Sequence, residues 1–138
     1  MTKDEIKNII PHRDDMLLLD EDVCEDGVAR GKYRVKGDEF FLRGHFPGNP
    51  VVPGVILCEI LAQSACVLFE GALTGGKTPM YTGIDKARFR SPVRPGDEIE
   101  TEVRVIREKG AFRFCEGTAR AGGKICLTAE FSFAIVGA

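Results

Sequence analysis

Pro53-Gly54-Val55-Ile56-Leu57-Cys58-Glu59-Ile60-Leu61-Ala62-Gln63-Ser64-Ala65-Cys66-Val67-Leu68-Phe69 is the stretch that orders the rest of the chain. Proline is tolerated at the first position of a helix, so Pro53-Gly54 can start one. Residues 55–69 then carry Ile, Leu, Ala, Val, Cys and Phe on nearly every face. A helix apolar all round is a buried helix. Pro53, Gly54, Glu59, Gln63 and Ser64 interrupt the apolar run and argue against a membrane span. Residues 71–78, rich in Gly and Thr, are expected to form the loop that ends the helix.

Outward from that helix the pattern changes to strands. Ile99, Thr101, Val103 and Val105 alternate with Glu100, Glu102 and Arg104, as in a half-buried strand. Residues 111–120 alternate less cleanly. Ile125, Leu127, Ala129, Phe131, Phe133 and Ile135 alternate with Lys124, Cys126, Thr128, Glu130, Ser132 and Ala134. Lys109-Gly110 and Gly122-Gly123 supply turns, which predicts an antiparallel meander. Towards the N-terminus, residues 17–20 and 27–35 read as strands joined by an acidic turn, and 40–42 as a short extended piece. Residues 4–10 form a short helical turn with Ile6, Ile9 and Ile10 on one side, stopped by Pro11.

The chain has 138 residues, with no internal repeat or linker, and is read as one domain over 1–138. The fold class is α+β, a curved antiparallel sheet packed around the central helix. One sheet of this size cannot cover a helix that is apolar on so many faces, which favours an oligomer with isologous contacts. A net charge of -2 speaks against general nucleic-acid binding. The opening residues do not read as a signal peptide. The five cysteines, Cys24, Cys58, Cys66, Cys115 and Cys126, contain no Cys-x-x-Cys pair and read as reduced core residues of a cytoplasmic protein. With His12 and His45 as the only histidines, no metal site is expected.

Chemistry concentrates just before and within the helix. Gly44-His45-Phe46-Pro47-Gly48-Asn49-Pro50 puts an imidazole in a loop stiffened by proline. A loop histidine is commonly just a surface residue, but a stiff loop also holds a catalytic group still. Neutral imidazole can take a proton from a carbon beside a carbonyl. Glu59 stands alone among Ile56, Leu57, Cys58, Ile60 and Leu61, so burial should raise its pKa or it should find a partner. Gln63, one helical turn on, is such a partner. The alternative is a glutamate placed by the helix dipole or paired across an interface. The Gly54 N–H, at the helix start, suits a developing oxyanion. Together these parts fit proton abstraction beside a thioester carbonyl with loss of a C3 hydroxyl.

The stretch Gly44-His45-Phe46-Pro47-Gly48-Asn49-Pro50-Val51-Val52-Pro53-Gly54-Val55, with Glu59 and Ala62-Gln63, closely resembles the FabZ-type (3R)-hydroxyacyl-[acyl-carrier-protein] dehydratases. Pro11-His12-Arg13 with Leu17-Leu18-Leu19-Asp20 resembles the opening motif of that family. Gly83-Ile84-Asp85-Lys86-Ala87-Arg88-Phe89, with Pro92-Val93 and Pro95-Gly96-Asp97, resembles its motif after the helix. Asp14-Asp15-Met16 and Ile60 depart from the family's pattern, and bear on chain-length preference.

The resemblance implies a hot-dog fold. It implies dehydration of hydroxyacyl thioesters on acyl carrier protein to trans-2-enoyl products in fatty acid biosynthesis, without cofactor or metal. It carries over His45 as general base, Glu59 as general acid and Gly54 as the carbonyl contact. It implies a homodimer that pairs His45 of one subunit with Glu59 of the other, commonly as a trimer of dimers. Phe46, Gln63 and Tyr81 are further expected substrate contacts. Lys86, Arg88, Arg90 and Arg94 are expected to steer the acidic carrier, or else to protect a strand edge by charge. The competing readings are a hot-dog acyl thioesterase, a dehydratase of a secondary-metabolite (polyketide or aryl polyene) pathway, and a non-catalytic acyl-binding hot-dog domain. Neither nucleic acid nor membrane is an expected partner.

Overall fold

The computed structural model describes residues 1–10, 13–42, 48, 50–73 and 76–137. Helix α1 (Lys3–Ile6) opens the chain, capped by the Thr2 hydroxyl and the Glu5 carboxylate in a reciprocal box. Six strands follow: β1 (Glu21–Glu25), β2 (Val28–Arg34), β3 (Thr78–Phe89), β4 (Glu98–Lys109), β5 (Phe112–Ala121) and β6 (Lys124–Val136). Helix α2 (Gly54–Ala65) lies between β2 and β3 in the chain and continues as 3₁₀ turns over Cys66–Leu73.

The strands form one antiparallel sheet in the order β1-β2-β4-β5-β6-β3. The turn chemistry explains the meander. Gly122 and Gly123 have φ of 59° and 79° in the two-residue turn between β5 and β6, and Asp26 and Gly27 have φ of 52° and 76° between β1 and β2. Both central residues left-handed is the requirement of the tight hairpin turn whose twist matches the strands. The inward rows Ile99, Thr101, Val103 and Leu127, Ala129, Phe131, Phe133 are buried, as the alternation predicts. Helix α2 packs on β2, β4, β5 and β6. Gly54–Leu73 has the length and composition to cross a bilayer, yet most of it is buried within this fold.

Five expectations need correction. Cys24 is not a core residue: it is exposed near the end of the edge strand β1, whereas Cys58, Cys66, Cys115 and Cys126 are buried. Residues 17–20 are not a strand: β1 starts at Glu21, and the Leu18 N–H goes to a side chain on α2 instead of a neighbouring strand. Leu17, Leu18 and Leu19 are all buried, so the segment has two apolar faces and no alternation. Residues 40–42 form a 3₁₀ turn (Phe40–Leu42) instead of an extended piece. The Glu39 carboxylate folds the chain there by accepting from Lys36 N–H at 2.9 Å, Gly37 N–H at 2.7 Å and the Tyr33 hydroxyl at 2.6 Å. The helix does not remain α to residue 69 but tightens to 3₁₀ from Cys66. That 3₁₀ stretch runs on to Leu73, into the expected 71–78 loop.

A buried polar cluster fastens the end of α2 to the sheet. Asp22 is 2% exposed, and its Oδ1 accepts from Ser64 Oγ at 3.1 Å. Ser64 Oγ meets Thr101 Oγ1 at 2.6 Å, and Thr101 Oγ1 accepts from Gly31 N–H at 2.8 Å. Gly31 makes room: a Cβ there would lie 2.9 Å from Thr101 Oγ1, 3.0 Å from Leu19 Cδ2 and 3.0 Å from Ser64 Oγ. Burial raises the Asp22 carboxyl to about 7, against the lowering effect of Ser64, the Val23 N–H and the Met1 ammonium.

Candidate active site

The N-terminus of α2 begins at Gly54 with no side chain capping it. Pro53 accepts from the Ile56 and Leu57 amides at 3.0 and 3.3 Å, which starts the helix without using the Gly54 N–H. Amides at this position point outward and carry partial positive charge. The ring of Phe89 lies against Gly54, so close that a Cβ on residue 54 would fall 2.6 Å from Phe89 Cε1. The two residues form one wall of a groove of about 580 Å³ that also takes in Val52, Leu57, Val93 and Cys126.

Glu59 lies on the next turn of α2, half-buried. The expected partner is there: Gln63 Nε2 donates to Glu59 Oε2 at 3.0 Å. A small cavity of about 40 Å³ borders both side chains and is closed by Ala62, Cys66, Pro79, Tyr81 and Phe133. Tyr81 comes from β3. Its hydroxyl donates to the Cys58 carbonyl at 2.6 Å, and its ring packs 5.2 Å from that of Phe133. Burial, with the Glu59 charge adding to it, holds the Tyr81 phenol above its ordinary range. The Cys66 thiol is pushed up by the same two causes in the same order. Both groups are therefore neutral walls of the cavity at physiological pH.

Gln63, expected as a substrate contact, is 1% exposed and has both amide N–H directions engaged inside the chain. His45 and Phe46 lie outside the described residues, as does His12. Among the described residues no group of three His, Cys, Asp or Glu side chains is arranged to hold a metal ion. Lys86 pairs with Glu130 at 3.0 Å, while Arg88, Arg90 and Arg94 are exposed and make no ion pair among the described residues.

Strand β3 is an edge of the sheet, and its apolar side chains are not covered within one chain. Ile84 is 46% and Phe89 56% exposed, and Val55 on the adjoining face of α2 is 73% exposed. The opposite edge, β1, is partly masked by the N-terminal residues, through the Thr2–Glu21 bridge and the Asp22 N–H to Met1 carbonyl bond of 3.2 Å. An apolar edge beside a half-buried carboxylate is the shape of a site left open on one side.

A family model described as ApeI-like, ApeI dehydratase, matches residues 21–126. The 3-hydroxyacyl-[acyl-carrier-protein] dehydratase FabZ of Caulobacter sp. (strain K31) is 45% identical over 137 residues, covering 96% of this chain and 84% of that protein. The protein of the same name from Clostridium perfringens (strain SM101 / Type A) is 44% identical over 138 residues, covering 98% and 99%. Among solved structures, the dehydratase heterocomplex ApeI:P from Xenorhabdus doucetiae superposes with a TM-score of 0.79 at 19% identity, over 95% of this chain and 90% of that one. The Escherichia coli PaaI protein superposes at 0.64 with 13% identity, over 83% and 81%. The fold is thus the hot-dog fold that the resemblance implied.

Proposed function

Since the chain belongs to the FabZ family of 3-hydroxyacyl-[acyl-carrier-protein] dehydratases, we propose that it removes water from (3R)-hydroxyacyl thioesters on acyl carrier protein, giving trans-2-enoyl thioesters for fatty acid biosynthesis. The observation that carries this reading is identity to named dehydratases along nearly the whole chain. The geometry supports it. An acid on a central helix, an uncapped helix start next to an apolar groove, and an open sheet edge are the parts the reaction needs.

In the proposed reaction the neutral His45 imidazole takes the proton from C2. The Gly54 N–H holds the thioester oxygen as negative charge develops on it. Glu59 gives its proton to the departing C3 hydroxyl, which leaves as water, and the C2–C3 double bond forms. His45 is contributed by one subunit and Glu59 by the other, in a dimer whose contact includes the β3 edge and the exposed Val55 face of α2, with three such dimers forming the larger assembly. Phe46 and Tyr81 line the acyl channel. Arg88, Arg90 and Arg94, with Lys86 beside them, attract the acidic carrier. The five cysteines are free, which accords with a reducing, cytoplasmic setting.

The test is a mass-spectrometric dehydration assay on hydroxyacyl-ACP substrates of graded chain length, with the double-bond position resolved. Wild type forms the enoyl product, and His45→Ala and Glu59→Gln lose it while remaining folded. Near-full activity in either variant removes that residue from the mechanism. Release of free carrier thiol without enoyl product would point to a thioesterase. The ApeI-like match supports one second reading, a dehydratase of a related pathway, and the same assay separates it by the acyl chain turned over.

A further inference from the structure

The Gln63 amide has a partner in each of its directions. Its Oε1 accepts from Leu18 N–H at 2.9 Å, and its Nε2 donates to the Met16 carbonyl at 2.7 Å and to Glu59 Oε2 at 3.0 Å. A backbone N–H can only donate and a backbone carbonyl can only accept. These two partners therefore decide which end of the amide is nitrogen. With one amide proton on Met16, the other faces Glu59, and Glu59 Oε2 must accept it. In a neutral carboxylic acid the doubly bonded oxygen is the better acceptor. In the acid form that the general-acid role requires, the proton is then left to Oε1.

We propose that Gln63 is the positioning residue of the acid: strapped to the 16–18 backbone, it fixes the Glu59 carboxyl and assigns its transferable proton to Oε1. This rests on the reading of Glu59 as the general acid. The strap is itself held in shape. The 3₁₀ turn Asp14–Met16 leads into it, closed by Met16 N–H to the Arg13 carbonyl and Leu17 N–H to the Asp14 carbonyl, both at 3.1 Å. Leu17, Leu18 and Leu19 then anchor it in the core. The segment before the sheet and the helix thus reach Glu59 as one unit. Within 17–20 the Leu18 amide serves this strap, while the Asp20 N–H already reaches β2 at the Lys32 carbonyl, 2.8 Å away.

The experiment is steady-state turnover of hydroxyacyl-ACP by Gln63→Met and Gln63→Glu. Gln63→Met removes all three bonds. Gln63→Glu keeps an acceptor for Leu18 N–H but has no amide protons. Loss of a hydrogen bond to an ionisable group at the reacting centre is expected to lower kcat about 10- to 100-fold with KM changed by less than about threefold. Gln63→Glu also gives up the Met16 bond and sets a second carboxyl against Glu59. The roles are therefore separated by the pH profile of kcat in Gln63→Met, whose acid-dependent limb a residue that only anchors the strap leaves in place. If Gln63→Met does not fold, the readout below decides the matter. A second readout is independent of activity. The Gln63 side-chain amide protons should be slow to exchange in NMR spectra, and one of them should shift in Glu59→Gln. Turnover within about twofold of wild type in the folded Gln63 variants overturns the proposal. If Glu59→Gln itself keeps full turnover, it is the general-acid reading that fails instead.

Discussion

Asp22→Asn should flatten the pH dependence of stability. In the folded chain the Asp22 carboxyl is 2% exposed, and burial raises it from an ordinary 3.8 to about 7. The folded state therefore holds this proton more tightly than the unfolded state does. The stabilisation is fully present below the unfolded value and is lost as pH rises through about 7. At about 1.36 kcal/mol per pH unit the whole effect is about 4 kcal/mol, of which about 3 kcal/mol falls between pH 5 and 8. Asparagine cannot ionise, keeps the shape, and still offers an oxygen to Ser64. Urea unfolding of both proteins at fixed protein concentration, from pH 5 to 8, measures the difference. Other titrating groups cancel in it. The wild-type curve should fall relative to the variant's by about 3 kcal/mol across that range. Parallel curves would refute the reasoning, for they would mean that Asp22 stays ionised throughout at no cost.

Three other outcomes follow from the same contacts. Gly31→Ala should destabilise by about 1–3 kcal/mol, read in urea or by Tm, because its Cβ meets Thr101, Ser64 and Leu19 at 2.9–3.0 Å. Gly54→Ala should displace the Phe89 ring and lower turnover, and Phe89→Ala should relieve much of that loss; equal losses in both backgrounds would show that the two residues do not couple. Arg88→Glu with Arg90→Glu should raise KM for ACP-bound substrate and weaken its salt dependence, while a short thioester lacking the carrier is turned over as before.

Much of this fold is legible in the chain. The alternation from Ile99 to Val105 and from Ile125 to Ile135 needs only the period of a strand, and Asp26-Gly27 and Gly122-Gly123 need only left-handed turn chemistry. Strand β3 is harder to read from periodicity. Register shifts between Tyr81 and Gly83 and between Asp85 and Arg88 break its period twice, and an edge that is exposed in one chain lacks a polar outer row. The strand expected at 17–20 is lost to a side-chain acceptor that is 45 residues away in the chain, which no local pattern encodes. Asp22 sits in Glu-Asp-Val-Cys-Glu, which reads as an acidic surface run. Only the pairing with Gly31 reveals a pocket for it.

The site divides in the same way. Glu59 and Gln63 share a face at helical spacing, so their hydrogen bond is predictable from the chain alone. The Tyr81 hydroxyl on the Cys58 carbonyl and the Phe89 ring on Gly54 depend on how β3 passes the helix, which is long-range information.

The most direct test of the central claim is subunit complementation. His45→Ala and Glu59→Gln chains are produced separately, then refolded together and assayed for enoyl-ACP formation. If each site takes its histidine from one subunit and its acid from the other, a mixed dimer contains one intact site. The mixture should then recover about a quarter of wild-type activity while either variant alone is inactive. A mixture as inactive as its parents, with mixed dimers demonstrated, would contradict a site shared between subunits.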